Sequence, residues 1–129
     1  MSLTSEMQTI VDIAINHSGN VTKEQMISLL EETIETLKYV RERVTDSEAK
    51  DDLRRLIKII KYRKRKIRLD NINAGTTVYE NSMKKLGKAT KIANQAKQDI
   101  DDVEKKVKAT AKALEAAAKV LEVLVKIFI

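Results

Sequence analysis

Apolar side chains recur along this chain at helical spacing almost from end to end, and the elements they predict are all helices. Met7, Ile10, Val11 and Ala14 mark a first helix over residues 4–16, closed by Ser18, Gly19 and Asn20. Thr22 and Gln25 make the T-x-x-Q capping pattern, which satisfies two orphan amides reciprocally and opens a second helix. Its apolar face is Met26, Leu30, Ile34, Leu37, Val40 and Val44, with Glu31, Glu32, Glu35 and Glu42 mostly off that face. Thr45 and Glu48 fit a second capping box in a short turn, so the next helix is expected to return antiparallel. That third helix, over residues 47–69, carries Ala49, Leu53, Leu56, Ile57, Ile60 and Ile67 as its stripe. Asn71, Asn73 and Gly75 make residues 70–77 a loop, and Thr77 with Glu80 fits a further cap.

From residue 77 onward the heptad count does not falter. Tyr79, Leu86, Ala93, Ile100, Val107, Leu114, Leu121 and Phe128 fall in one column, and Ser82, Ala89, Ala96, Val103, Thr110, Ala117 and Leu124 in the column beside it. Together they form an a/d seam of period 3.5, the pattern of a helix that supercoils against a partner. A polar column of Lys84, Lys91, Gln98, Lys105, Lys112, Lys119 and Lys126 runs opposite, and Glu115–Lys119 and Glu122–Lys126 are i,i+4 pairs in the favourable order.

A continuous helix over 77–128 would be about 78 Å long at 1.5 Å per residue. A globule of this size is only about 36 Å across. Either the helix bends, with 99–102 as the favoured point because Asp101 and Glu104 can cap a new helix there, or another chain covers half of its seam. The unbroken heptad phase favours the continuous helix. The expected fold is therefore an all-α bundle forming a single domain over 1–129: a first helix within 4–20, an antiparallel hairpin over 22–69, and one very long helix over 77–129.

Composition supports this outline. The chain has no proline, three glycines, 34% charged and 43% hydrophobic residues in its 129, too apolar for disorder and typical of long solvated helices. Three tyrosines (Tyr39, Tyr62, Tyr79) and Phe128 are its aromatics, so base or sugar stacking is not expected as a main activity. With no cysteine there is no disulfide, thiol chemistry or Cys-zinc site. No signal peptide and no membrane-spanning run is read from the sequence, which gives the expectation of a cytoplasmic protein.

Charge is distributed unevenly. Residues 1–52 carry 5 basic and 11 acidic side chains, net −6; residues 53–69 carry 9 basic and none acidic, net +9; residues 70–129 carry 11 basic and 8 acidic, net +3. The central run is Arg54, Arg55, Lys58, Lys61, Arg63, Lys64, Arg65, Lys66 and Arg68. It suits the phosphates of a nucleic acid or an anionic membrane. The competing reading is neutralisation by the second helix, where an antiparallel hairpin puts Glu31 opposite Lys61, Glu35 near Lys58 and Glu24 near Arg68.

Catalytic chemistry has little to build on. His17 is the single histidine and sits at a helix end. There is no Glu-x-x-His pair for a di-iron bundle and no base for a nucleophilic triad. The neighbouring carboxylates at Asp51–Asp52 and Asp101–Asp102 point about 100° apart on a helix. No glycine loop is suited to phosphate. The expectation is a non-enzymatic protein with no cofactor, no metal and no small-molecule substrate.

Its function is expected to be protein–protein contact, as a homo-oligomer joined through Ile100, Val103, Val107, Leu114, Leu121, Leu124 and Phe128. Two alternatives stand beside it: a membrane-active protein whose segment 109–129 binds or inserts into lipid, and a nucleic-acid binder using the basic segment 54–68.

Overall fold

The computed structural model describes residues 3–128. Met1, Ser2 and Ile129, the ends of the expected domain and of its long helix, lie outside the described residues. Among the described residues the chain is all-helical: α1 (Ser5–Asn16), α2 (Lys23–Arg43), α3 (Ser47–Arg65), α4 (Thr77–Asp99) and α5 (Lys106–Lys126).

Local chemistry sets most of the boundaries. Thr4 caps α1 by accepting from the Met7 N–H at 3.2 Å, and a single 3₁₀ turn over Ser18–Asn20 follows that helix. Both halves of the Thr22–Gln25 capping box form at the start of α2. Two expected caps shift by one residue. Asp46 caps α3 through the Ala49 N–H in place of Thr45, and Thr76 caps α4 through the Tyr79 N–H in place of Thr77. In each case the neighbouring residue is also a good capping type, and pattern alone does not choose between them. The third helix is also shorter than expected. It ends at Arg65, because Arg68 is extended and residues 66–76 must cross the end of the bundle to reach α4.

The expected long helix is two helices. Residues 100–105 turn the chain back, so that α4 and α5 form an antiparallel hairpin of about 35 and 32 Å at 1.5 Å per residue. The turn is held on itself and from outside. Asp102 accepts from the Glu104 N–H at 3.0 Å, and the Lys105 N–H donates to the Asp102 carbonyl at 3.0 Å. From the end of α2, the Tyr39 hydroxyl donates to Asp101 at 3.1 Å and Arg43 reaches the same carboxylate at 3.5 Å. The Lys106 ammonium donates to the Arg43 carbonyl at 3.3 Å. Two cations lie against the Tyr39 ring, the Arg43 guanidinium at 3.5 Å and the Lys97 ammonium at 4.9 Å from its centroid.

The turn rotates the seam. In α4 the expected positions Tyr79, Ser82, Leu86, Ala89, Ala93 and Ala96 are buried, with Ile100 just beyond, and so are Met83, Gly87 and Thr90 outside the two columns. In α5 the buried face is Ala109, Ala113, Ala116, Val120 and Val123, with Ile127 following and Thr110, Ala117 and Leu124 beside it. The Thr110–Leu124 column stays inside, but the Val107–Phe128 column moves to the edge. Buried alanines on both helices, Ala89, Ala93 and Ala96 in α4 and Ala109, Ala113 and Ala116 in α5, let the two approach closely along their length.

The two hairpins complete a four-helix bundle, with α2 beside α3 and α4, and α5 beside α3 and α4. The helices α2 and α4 run parallel: Val21 meets Tyr79, Thr33 meets Thr90 and Tyr39 meets Lys97. It follows that α3 and α5 are also parallel. Between α2 and α4 the buried hydroxyls of Thr33 and Thr90 are 2.7 Å apart, and each also reaches a carbonyl of its own helix. The first helix lies across α4 at Gly87, where an added Cβ would stand 2.8 Å from the Ala14 Cβ. The core runs through all five helices and its buried apolar residues are aliphatic or methionine except for Tyr79, whose hydroxyl donates to the Val21 carbonyl at 2.7 Å. At the far end, the Asn73 N–H donates to the Ile127 carbonyl at 3.2 Å and an isolated antiparallel bridge joins Ile72 to Phe128.

Candidate interaction surface

The residues expected to form one seam are divided among three environments. Ile100 and Leu124 are fully buried in the chain's own core. Leu114, Leu121 and Phe128 are half-buried at its edge. Val103, in the turn, and Val107, in the first turn of α5, are each 85% exposed. The physical reason is the turn at 100–105: once the chain folds back, α4 covers the face of α5 that a continuous helix would leave for another chain.

What remains is a strip on the outside of α5. Val107, Ala111, Leu114, Ala118, Leu121 and Val125 follow one another at i, i+4 and i, i+3 spacing, each exposed or half-buried. The strip borders α3, where Ile59 (41% exposed) stands beside Leu121 and Val125 (58%) across a groove of about 320 Å³ edged by Arg63, Glu122 and Lys126. Ile59, Ala111, Ala118 and Val125 were not among the expected seam residues. Ile59 had a sequence signal: it is an isoleucine lying off the helix stripe, between cations.

Charge along this face has a direction. The third helix opens with Glu48, Asp51 and Asp52 and closes with Arg63, Lys64 and Arg65. The outward column of α5 runs the other way, from Lys108 to Glu115 and Glu122. Glu122 is hydrogen-bonded to Lys85 of α4, and this bond, the charge of that lysine and then those of Lys126 and Lys119 lower its carboxyl below the ordinary value. The expected Glu122–Lys126 and Glu115–Lys119 pairs do not form; the α4 lysine takes the first of these carboxylates, and Glu115 stays exposed.

The nine cations of the basic run are not equivalent. Arg54 pairs with Asp51 at 2.8 Å, Arg55 with Asp52, and Arg68 with Asp70 at 3.7 Å. Lys66 lies 5.1 Å over the Tyr62 ring. Among the described residues, Lys58, Lys61, Arg63, Lys64 and Arg65 have no carboxylate within 4 Å. Of the expected juxtapositions, Glu31 and Lys61 share a groove of about 250 Å³ lined by Glu31, Ile34 and Glu35 of α2 with Lys61, Lys64 and Arg65; Lys58, Glu24 and Arg68 do not line it. The expected pairing does not form. Glu35 instead pairs along its own helix with Lys38 at 3.4 Å, and Arg68 lies beyond the end of α3 with Asp70. Exposed pairs of this kind contribute only about 0–1 kcal/mol, too little to enforce contact across a groove.

The other candidate groups have structural surroundings. His17 ends α1, its N–H donating to the Ile13 carbonyl at 2.7 Å. Asp51 and Asp52 are held by arginines of their own helix, and Asp101 and Asp102 by the turn already described. No group of three or more His, Cys, Asp or Glu side chains suited to a metal occurs among the described residues. Among them, too, no helix is long and apolar enough to cross a membrane. No protein-family model matches the chain, and neither a curated protein nor a solved structure matches it.

Proposed function

We propose that this protein is a non-enzymatic helical bundle that acts by protein–protein contact, pairing with a second copy of itself through the outward faces of α3 and α5. The observation that carries the reading is the apolar strip from Val107 to Val125, continued onto Ile59 and left uncovered by the chain's own helices. Single exposed apolar residues are ordinary, but an aligned strip bordered by charge marks an interface.

A second copy is the occupant that the charge pattern fits. Because α3 carries its acids at its start and its cations at its end, a two-fold pairing with the helices antiparallel across the axis joins unlike ends. With the helices antiparallel across the axis, the acidic start of α3 meets the basic end of its mate, and Lys108 approaches Glu122. With them parallel, the basic end of α3 would meet Lys126 as well as Glu122, so the antiparallel arrangement is the one the charges favour. An isologous contact needs this self-complementarity.

The strip is about 27 Å long at 1.5 Å per residue. With the α3 border it is about 18 Å wide, helices packing 8–10 Å apart. Such a patch gives roughly 1,000 Å² in total over two copies, at the low end for a specific interface, so the dimer is weak and reversible.

Light scattering after gel filtration tests this. Near-millimolar protein should approach twice the 14.6 kDa chain mass and fall toward one mass on dilution. The exposed-site variant Val107→Asp with Val125→Asp should be monomeric with its helical spectrum intact. A wild-type monomer at every concentration, or a dimer indifferent to both substitutions, would overturn the proposal.

A further inference from the structure

We propose that the crest of α3 is a binding site for the phosphate backbone of a single-stranded nucleic acid, with Tyr62 as a platform for one base. The helix places Lys58 and Tyr62, with its C-cap Lys66, on the side opposite its buried Leu53, Ile57 and Ile60, and Arg65 between this crest and the α2 groove; all four are exposed. Arg63, also exposed, stands on the α5 side, and half-buried Lys61 and Lys64 on the α2 side. The uncompensated cations form one block. Arg54 and Arg55, paired with Asp51 and Asp52, bound it at one end, and Arg68, paired with Asp70, bounds it at the other.

From Lys58 to Lys66 the block is about 12 Å long at 1.5 Å per residue. That spans three to four nucleotides of a strand kept in its stacked, helical form, at the ~3.4 Å per step that one strand has in a duplex. Arginine offers a phosphate its bidentate fork, and lysine a point charge. Tyr62 is 58% exposed, with the Lys66 ammonium 5.1 Å from its ring centroid, so a base stacking on the ring has a cation beside it for its phosphate. With one aromatic in the patch, phosphate contacts dominate the affinity and stacking adds a single step.

A bilayer fits the same cations less well. They radiate around three sides of α3, whereas a membrane surface engages one plane and draws on a broad apolar face. The crest offers it Tyr62 alone, and Glu31 and Glu35 stand on the flank. A flexible strand can follow the curve of the helix.

The test is fluorescence anisotropy of a labelled mixed-sequence 20-nucleotide strand titrated with the full chain. The same strand as a duplex, vesicles of phosphatidylcholine with phosphatidylserine, and polyglutamate serve as competitors. Four phosphate contacts give a log–log salt slope of about −3, or about 50-fold weaker binding between 50 and 200 mM salt. Lys58→Gln, Arg65→Gln and Lys66→Gln together should weaken binding by at least about 30-fold, with Lys84→Gln, Lys88→Gln and Lys91→Gln on α4 changing it less than about threefold. Tyr62→Ala should cost about fivefold or more.

Equal losses from the α3 and α4 triples would reduce the effect to net charge and overturn the site. Competition by vesicles or polyglutamate as strong as by the strand, or indifference to Tyr62→Ala, would overturn the assignment to a single strand. Absence of binding at 50 mM salt would overturn the proposal entirely.

Discussion

Leu124, Leu114 and Val107 belong to one seam if residues 77–128 form a single helix, and to three different environments if the chain turns at 100–105. Truncating each to alanine therefore separates the two architectures. Leu124 is fully buried, and removing a buried leucine side chain costs about 2–5 kcal/mol, including the cavity left behind. Leu114 is half-buried, which scales the loss to about 1 kcal/mol. Val107 is 85% exposed in the first turn of α5, where substitutions stay within about 0.5 kcal/mol. For a domain of this size each kcal/mol moves Tm by about 3–5 °C, so Leu124→Ala should melt at least about 6 °C lower while Val107→Ala melts with the wild type. Urea unfolding at low-micromolar protein gives the same ordering without the contribution of a weak dimer. Comparable losses at Leu124 and Val107 would refute the fold-back, because only a partner covering both columns treats them alike. A larger loss at Val107 than at Leu124 would mean that α5 is rotated.

Two further perturbations probe the core. Gly87→Ala gains about 1 kcal/mol of helix propensity but sets a methyl 2.8 Å from the Ala14 Cβ and 3.2 Å from Ile15. A net loss of about 1 kcal/mol, relieved by Ala14→Gly in a double-mutant cycle, is expected in thermal unfolding; a gain would show that α1 does not cross α4 there. Burial, and secondarily Glu24, raise the Tyr79 hydroxyl above its ordinary value of 10.0. The folded state thus holds this proton more tightly than the unfolded chain, and its stabilisation is complete below pH 10 and declines as pH rises beyond it. Tyr79→Phe should cost about 1–3 kcal/mol at neutral pH, by leaving the Val21 carbonyl unpaired, and should flatten the alkaline decline. Parallel stability–pH curves for the two proteins above pH 10 would show that the hydroxyl is not the titrating group.

Which parts of this fold could be read in the sequence depends on how local their causes are. The Thr22–Gln25 box, the break at Ser18–Asn20 and the short connection that sets α3 beside α2 are fixed by neighbours in the chain. The phase of α4 was legible because its polar residues leave one seam open. In α5 the alanines and valines occupy so many faces that the columns headed by Val107, Ala109, Thr110, Ala111 and Ala113 all read as small or apolar. An unbroken heptad column is then no evidence for a continuous helix. The turn itself is written partly in Asp99, Asp101 and Asp102, poor helix-interior residues, but its anchors Tyr39 and Arg43 come from α2, which no local pattern reveals. The strip on α3 and α5 is half-legible: the heptad count picks out Val107, Leu114 and Leu121, but not Val125 or the neighbours in space such as Ile59.

The same limit applies to the basic run. Periodicity put the acids of α2 opposite the cations of α3, and they do line one groove, yet opposition in register is not an ion pair. Side-chain entropy and hydration leave exposed lysines and glutamates apart unless geometry draws them together. Unspent positive charge on the crest of α3 therefore sits beside the apolar strip of α3 and α5, and the two surfaces should answer salt differently. Burial of Val107, Leu121, Val125 and Ile59 depends little on ionic strength, whereas phosphate contacts weaken steeply with it. At about 0.5 M salt, several times the ionic strength at which the screening length is ~8 Å, the dimer should persist and strand binding should vanish. If both disappear together, the strip and the crest act as one electrostatic surface, and the division of labour between them is wrong.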